Sequence, residues 1–371
     1  MFIYRFIQYS LVEEYRGFTW WITVELLYTV NPGIEDIASE EIRAELGGVT
    51  SFEKMSGHVY HVVDNVSFEA IYRLRSINRA FILLFKSRVG PRTNDLVKLR
   101  EELVSSLETI HYYITPHTSF AVDTERLGSH EYTSMDISRI VGEIIIRKVE
   151  EKTGVKPVVN LRTPHIIIHV FVRDENFFLG VSLTGSRSLH RRGYRIYDHP
   201  AALKPTLAYA MLTLSGTRDK QVIVDPMCGG GTIPIEAGLL HEEALIYGYD
   251  RNPKHVRGAK LNAYASGVYG KVVFGVWDAR RLHVIFDEQV DHIVSNPPYG
   301  IRYGDPVVIR KLYRDFLGSA YKSLKPGGRL TIITTEYNYV LKKAGDIGFR
   351  VIHKRTVQHG GLYPKIVVLE K

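Results

Sequence analysis

The period of the apolar positions changes along this chain, and with it the kind of fold each stretch can build. From Trp20 to Val30 the residues are mostly apolar and β-prone, and Asn31-Pro32-Gly33 closes the run. A helical pattern follows from Glu35 to Leu46 and ends at Gly47-Gly48, where a backbone without Cβ can leave the helix. Alternation over His58–Val63 predicts a strand, the spacing over Ser67–Ser76 a helix, and the apolar run Ala80–Arg88 a buried strand. A β-α-β-α-β order of this kind is what a ferredoxin-like unit requires.

A second α+β module starts near Asp95. Helix Leu96–Ser106 leads to a strand at Ser119–Asp123. Ser134 is placed to cap a helix running to about Lys152, with Ile137, Ile140, Val141, Ile144, Ile145 and Val149 on its buried side. Strands Ile166–Arg173 and Asn176–Leu183 follow, joined by a tight turn at Asp174-Glu175. Neither an internal repeat nor a low-complexity segment is visible.

Past residue 205 strands and helices alternate, as a doubly wound parallel sheet demands. The predicted strands are Gln221–Asp225, Leu245–Asp250, Lys271–Trp277, His292–Ser295 and Arg329–Thr334; the helices are Thr232–His241, Pro253–Ala265 and Val307–Leu324. Two further strands, Phe349–Gln358 and Lys365–Leu369, are joined through Gly360-Gly361. Such an antiparallel addition is foreign to a dinucleotide-binding dehydrogenase. The fold class is therefore a multidomain chain of α+β and α/β units. Its boundaries are expected at 1–94, 95–186, a linker at 187–205, and 206–371, with the first 20 or so residues a candidate extension.

Composition narrows the classes. A length of 371 residues suits two or three domains, and 45% hydrophobic with 24% charged residues excludes a disordered or fibrous chain. The net charge of +8 and a pI near 9.2 favour a polyanionic partner, nucleic acid first. A lone cysteine, Cys228, excludes a disulfide framework and Cys-based metal sites, and points to a reducing, cytoplasmic setting. The 15 histidines are scattered without an HExxH pattern, so no metal is expected. With only four glutamines (Gln8, Gln221, Gln289, Gln358), the sequence leans toward a heat-adapted source. Charges at Arg5, Glu13, Glu14, Arg16 and Glu25 interrupt the aromatic-rich start, which reads as neither signal peptide nor membrane span. Because Met55 is the next methionine, a start codon read too far upstream would account for that segment.

Four strand ends carry candidate chemistry. Asp225 closes a strand and opens Pro-Met-Cys-Gly-Gly-Gly-Thr, in which Gly229, Gly230 and Gly231 admit a ligand close to the backbone before Thr232 starts a helix. Asp250 ends the next strand, where a carboxylate can take the ribose hydroxyls of an adenosine. Asp278, beside Ala279, ends the third and can accept from an adenine amine. After the fourth comes Asn296-Pro297-Pro298-Tyr299. Two prolines stiffen this turn, so that the Asn296 side-chain carbonyl and the Pro297 carbonyl can both accept from one exocyclic NH2 while Tyr299 stacks on its base. In the linker, Arg187, Arg191, Arg192 and Arg195 lie among Tyr194 and Tyr197, a composition suited to phosphate contact and stacking.

These motifs resemble those of known enzymes. Residues 195–371 resemble class I S-adenosylmethionine-dependent methyltransferases with a Rossmann-like fold and the Asn-Pro-Pro-Tyr signature of amino-group methylation. Residues 119–195 resemble a THUMP RNA-binding domain through His-Glu-Tyr-Thr-Ser-Met-Asp-Ile (130–137) and Ser-Leu-His-Arg-Arg-Gly-Tyr-Arg (188–195). Thr29 to Ile42 is similar to the ferredoxin-like domain that precedes THUMP. Asn-Pro-Pro-Tyr-Gly-x-Arg, Asn296 to Arg302, has the form found in tRNA guanine-N2 methyltransferases acting on guanosine 6 of the acceptor stem. An archaeal relative acting on guanosine 10 usually has Asp at the first position, and 23S rRNA guanine-N2 methyltransferases share the layout.

The resemblance implies a monomer that binds tRNA through THUMP and holds S-adenosylmethionine as cofactor. His199, Pro200, Ala201, Ala202 and Leu203 would cover the methionine end. Gly230, Gly231 and Thr232 would approach the cofactor backbone, Asp250 the ribose, and Asp278-Ala279 the adenine, with Asn296 at the transfer centre. Catalysis would be positioning and electrostatics without a covalent enzyme intermediate, on a base extruded from its stack. Two other classes compete. A nicotinamide oxidoreductase would use the glycine loop and Asp250 but gives Asn-Pro-Pro-Tyr no role. A non-catalytic RNA-binding protein leaves the cofactor loop unexplained.

Overall fold

The computed structural model describes residues 23–199, 201–299 and 306–371. The readings at Met1–Ile22, Pro200 and 300–302 lie outside the described residues.

The first half is one eight-stranded sheet in the order β2-β3-β1-β4-β8-β7-β5-β6. Its first four strands, β1 (Val24–Val30), β2 (Val49–Phe52), β3 (His58–Val63) and β4 (Ile77–Arg88), enclose helices α1 (Glu35–Leu46) and α2 (Phe68–Arg73). The expected ferredoxin-like unit lacked one strand: β2, with only four residues and a mostly exposed surface, has no apolar period to announce it. The second group comprises α3 (Asp95–Ser106), β5 (Ser119–Leu127), α4 (Ser134–Thr153), β6 (Val158–Val159), β7 (Ile166–Arg173) and β8 (Asn176–Ser182). Its β8 pairs antiparallel with β4, so the two expected modules share a continuous sheet and backbone ladder. Helix α4 is capped by Thr133 rather than Ser134, in a reciprocal capping box with Asp136. On its inner face Ile137, Val141, Ile144, Ile145 and Val149 are buried, whereas Ile140 is only half-buried.

The second half is a seven-stranded sheet, β11-β10-β9-β12-β13-β15-β14. Strands β9 (Val222–Asp225), β10 (Leu245–Asp250), β11 (Val272–Val276), β12 (Val290–Ser295) and β13 (Leu324–Thr334) run parallel, and the β14 (Arg350–Thr356) and β15 (Lys365–Glu370) hairpin closes one side antiparallel. Helices α5 (Pro205–Ser215), α6 (Thr232–Leu240), α7 (Pro253–Ala265), α8 (Pro306–Ser323) and α9 (Tyr337–Ile347) pack on it. Neither α5 nor α9 is among the elements that the sequence pattern predicts. Helix α5 is buried almost all round, so it shows no amphipathic contrast.

The two halves meet through the Asn31-Pro32-Gly33 turn. Arg355 of β14 reaches Asp36 with both guanidinium nitrogens, at 2.6 and 2.9 Å, and the pair holds the Asp36 carboxyl below its ordinary pKa against the opposing effect of burial. Asn31 accepts from Thr206 at 2.8 Å and donates to the Gln358 carbonyl, and Gln358 N–H donates to Pro32 O at 2.9 Å. Gly33 has φ +99, and a Cβ there would lie 2.2 Å from Thr356 O, so only glycine lets the hairpin approach.

Candidate active site

The chain runs β9, β10, β11 outward, then returns to β12 on the other side of β9. That reversal places the site between the carboxyl ends of β9 and β12, where open α/β sheets bind ligands. Asp225, at the end of β9, is fully buried. One of its oxygens, Oδ1, accepts from Met227 N–H at 3.1 Å and from the Ser295 hydroxyl at 2.7 Å. Burial raises its pKa to about 7, with the Asp250 charge adding to the rise, although both hydrogen bonds oppose it.

Gly229, Gly230 and Gly231 form the turn into α6. Gly229 N–H donates to Asp250 Oδ2 at 3.0 Å, while Asp250 Oδ1 accepts from Asn252 N–H at 2.8 Å and faces His255 Nδ1 at 3.3 Å. Asp250 therefore shapes the glycine turn and keeps acceptor capacity on Oδ2. Gly231 has φ +81, and a Cβ would meet Ala259 Cβ at 3.0 Å. Asp278 is occupied by Arg280, whose guanidinium takes both carboxylate oxygens at 2.5 to 3.0 Å and lowers its pKa. Ala279 is buried beside it.

The linker lies across the glycine turn as a strap. Tyr197 N–H donates to Asn262 Oδ1 at 2.8 Å, and Asn262 Nδ2 donates to Tyr197 O and Gly230 O, each at 2.9 Å. The His199 ring lies edge-on to His255 and 3.7 to 3.8 Å from where a Cβ on Gly229 would be, and His199 Cβ is 3.5 Å from where one on Gly230 would be. Ala201 and Ala202 N–H turn back onto His199 Nδ1 and O, and Leu203 is buried. Asn262 escaped the sequence reading, since a single Asn within a helix carries no local signal.

Asn296 joins strap and strand end. Its Nδ2 donates to Ala201 O at 3.4 Å, while Oδ1 is buried without a hydrogen-bond partner. Such an orphan acceptor is costly unless a ligand donor completes it. Pro297 is buried and Pro298 exposed. Tyr299 packs against the core, its hydroxyl buried and unpartnered, and burial, with Tyr313 nearby, drives the phenol pKa up. An adenosine-type cofactor fits these residues: a glycine cradle, a carboxylate with spare acceptor capacity and an unfilled acceptor converge on one switch point.

The four linker arginines separate. Arg187 and Arg191 are exposed, in no ion pair among the described residues. Arg192 is turned inward: it donates to Glu236 at 3.3 Å, Leu189 O at 2.9 Å and Arg75 O at 3.0 Å. Arg195 is likewise turned inward, to Leu203 O and to Thr232 Oγ1 at 3.1 Å. Glu236 on α6, fully buried, also accepts from Arg75 at 3.0 Å and from Tyr194 at 2.8 Å. A guanidinium can satisfy carbonyls and carboxylates of its own chain as readily as phosphate, and sequence spacing does not separate the two. Among the described residues no group of three His, Cys, Asp or Glu side chains could hold a metal, and no helix is long and apolar enough to cross a membrane.

Comparison with known proteins sets this geometry in context. A THUMP domain model matches residues 106–182 and an RMKL-like methyltransferase domain model residues 192–365. A tRNA (guanine(6)-N2)-methyltransferase of Thermus thermophilus is 36% identical, over 92% of this chain and 98% of its own. One of the same description from Archaeoglobus fulgidus is 30% identical, over 94% and 92%. This chain belongs to the tRNA guanine-N2-methyltransferase family. The crystal structure of TrmN from Thermus thermophilus superposes with a TM-score of 0.76 at 33% identity, covering 94% of this chain and all of that one. The likeness spans both halves, the THUMP-bearing sheet and the methyltransferase sheet.

Proposed function

We propose that this protein methylates the exocyclic N2 of a guanosine in tRNA, guanosine 6 of the acceptor stem, to give N2-methylguanosine with S-adenosylmethionine as methyl donor. The observation that carries the reading is Asn296, whose amide nitrogen is tied to Ala201 O and whose Oδ1 is a buried acceptor without a partner. An exocyclic NH2 is the donor that this acceptor lacks. Guanosine 6 is the nucleotide named for relatives 30–36% identical over 92–94% of the chain, whereas a guanosine-10 dimethyltransferase that spans 91% of it is 27% identical.

When bound, S-adenosylmethionine supplies an electrophilic methyl group on a sulfonium. Gly230, Gly231 and Thr232 would approach it, with Asp250 at the ribose, Asp278 and Ala279 at the adenine, Asp225 below the turn and the strap His199–Leu203 over the methionine end. Asn296 and the Pro297 carbonyl orient the amine, whose lone pair is otherwise delocalised into the guanine ring. Accepting its two hydrogens favours pyramidal nitrogen and aims the lone pair. Pro297 and Pro298 keep the turn extended, and Tyr299, anchored in the core, offers its ring to the base. Arg187 and Arg191 are the linker residues left to meet phosphate. The lone cysteine, buried Cys228, suits a reducing cytoplasm.

Asn296→Ala tests the reading. Single-turnover methylation of acceptor-stem guanosine falls by roughly two to three decades, the effect of one preorganised hydrogen bond worth about 3–4 kcal/mol. Binding of tRNA and cofactor persists, and Asn296→Asp retains measurable activity. A near-wild-type rate in Asn296→Ala removes the central argument.

A further inference from the structure

The catalytic turn depends on a tie that is not part of it. The ladder between β9 and β12 pairs Ile223 with His292 and Val224 with Ile293, and goes no further. On the other side β12 stays paired with β13 as far as Ser295. Pro297 and Pro298 have no N–H, so neither can extend a ladder toward β9. Asn296 has its own link to the strap, at a long 3.4 Å. Across the gap between the cofactor turn and the catalytic turn, the short contact is Ser295 Oγ to Asp225 Oδ1 at 2.7 Å. The same oxygen takes Met227 N–H, so a single atom receives one donor from each turn. Ser295 is wholly buried, which shields the bond from competing water.

We propose that Ser295 is a positioning residue for methyl transfer: its hydrogen bond to Asp225 holds Asn296 at a fixed distance from the glycine turn. The inference rests on the reading of Asn296 as the acceptor of the target amine. Ser295 touches neither substrate nor cofactor in this assignment; it replaces the backbone ladder that the two prolines cannot make. The Asp225 hydrogen bonds also work against the burial of that carboxyl, so the tie holds both turns to a group with little access to water.

The experiment is a double-mutant cycle in full-length enzyme, by single-turnover methylation of tRNA, with cofactor affinity from calorimetry. Ser295→Ala is expected to slow transfer about ten- to a hundredfold, the scale of a misplacement near 1 Å, with KM for tRNA and cofactor affinity within about twofold of wild type. Ser295→Cys, similar in size and a weak donor, is expected between wild type and Ala, and carries the test if the Ala variant is poorly folded. In an Asn296→Ala background, Ser295→Ala adds less than about a threefold loss, because the group it positions is already absent. A wild-type rate for Ser295→Ala, a loss carried by cofactor affinity, or losses that multiply in the double variant each overturn the proposal. Should wild type itself methylate no guanosine, the reading of function fails instead, and the two failures are distinct.

Discussion

Replacing Glu236 by Ala should destabilise the protein by about 3 kcal/mol and loosen the strap over the glycine turn. The carboxylate is wholly buried on α6, one turn after the glycine loop, and it gathers Arg75 from the turn before β4 with Arg192 and Tyr194 from the linker. Removing it leaves two guanidinium groups and a hydroxyl without their acceptor. Breaking a buried pair from one side costs about 3–5 kcal/mol. The lower end applies here because Arg192 keeps Leu189 O and Arg75 O, and the Arg75 side chain is 23% exposed and can recruit water. Glu236→Gln retains an oxygen for Tyr194 but loses the charge, so an intermediate loss of about 1–2 kcal/mol is expected. Urea unfolding followed by circular dichroism measures the series, with unchanged m-values required before the midpoints are compared. Because Tyr197 and His199 lie further along the same strap, calorimetry should show weaker S-adenosylmethionine binding in the Ala variant. If Ala and Gln are both within about 0.5 kcal/mol of wild type, as ordinary surface substitutions are, the Glu236 cluster does not hold the strap in place.

Two further outcomes follow from individual groups. Burial raises the folded-state pKa of Asp225 to about 7, so the folded protein binds this proton more tightly than the unfolded chain; the stability it contributes is present at low pH and lost as pH rises toward and through that value. Asp225→Asn, neutral throughout, should therefore gain on wild type by about 2–3 kcal/mol between about pH 5 and pH 8, read as a widening difference in Tm; an equal difference at both pH values refutes it. Arg187→Ala with Arg191→Ala should weaken tRNA binding and flatten the slope of log K against log salt by about one for each phosphate no longer neutralised. Arg192→Ala should act chiefly on Tm, and a slope change there as large as in the other pair would reverse the division among the linker arginines.

Long periodic elements and the chemistry at strand ends were legible in the sequence because their causes are local. Helix α1 needs only its own spacing and Gly47, and the turn after β12 needs only two prolines to stay extended. The glycine turn, Asp250, and Asn-Pro-Pro-Tyr could be placed at the carboxyl edge of one sheet from strand order alone. Elements whose signal is weak or uniform were not legible. Strand β2 is short and mostly exposed, and α5 is buried almost all round, so neither shows a period.

Which polar groups are used up within the protein follows from contacts between distant segments. Arg187, Arg191, Arg192 and Arg195 are alike in sequence, yet two face solvent and two are bound to Glu236, Thr232 and backbone carbonyls. Asn31 and Asp36 sit in the first half of the chain and find their partners past residue 200, at Thr206, Gln358 and Arg355. Asn262 and Ser295 acquire roles only once the strap and β9 are beside them. Local patterns record what a residue can do within its own element. Hydrogen bonds between distant segments depend on distances that the chain sets only when its sheets close, and those distances distinguish the free acceptor on Asn296 from the satisfied ones around it.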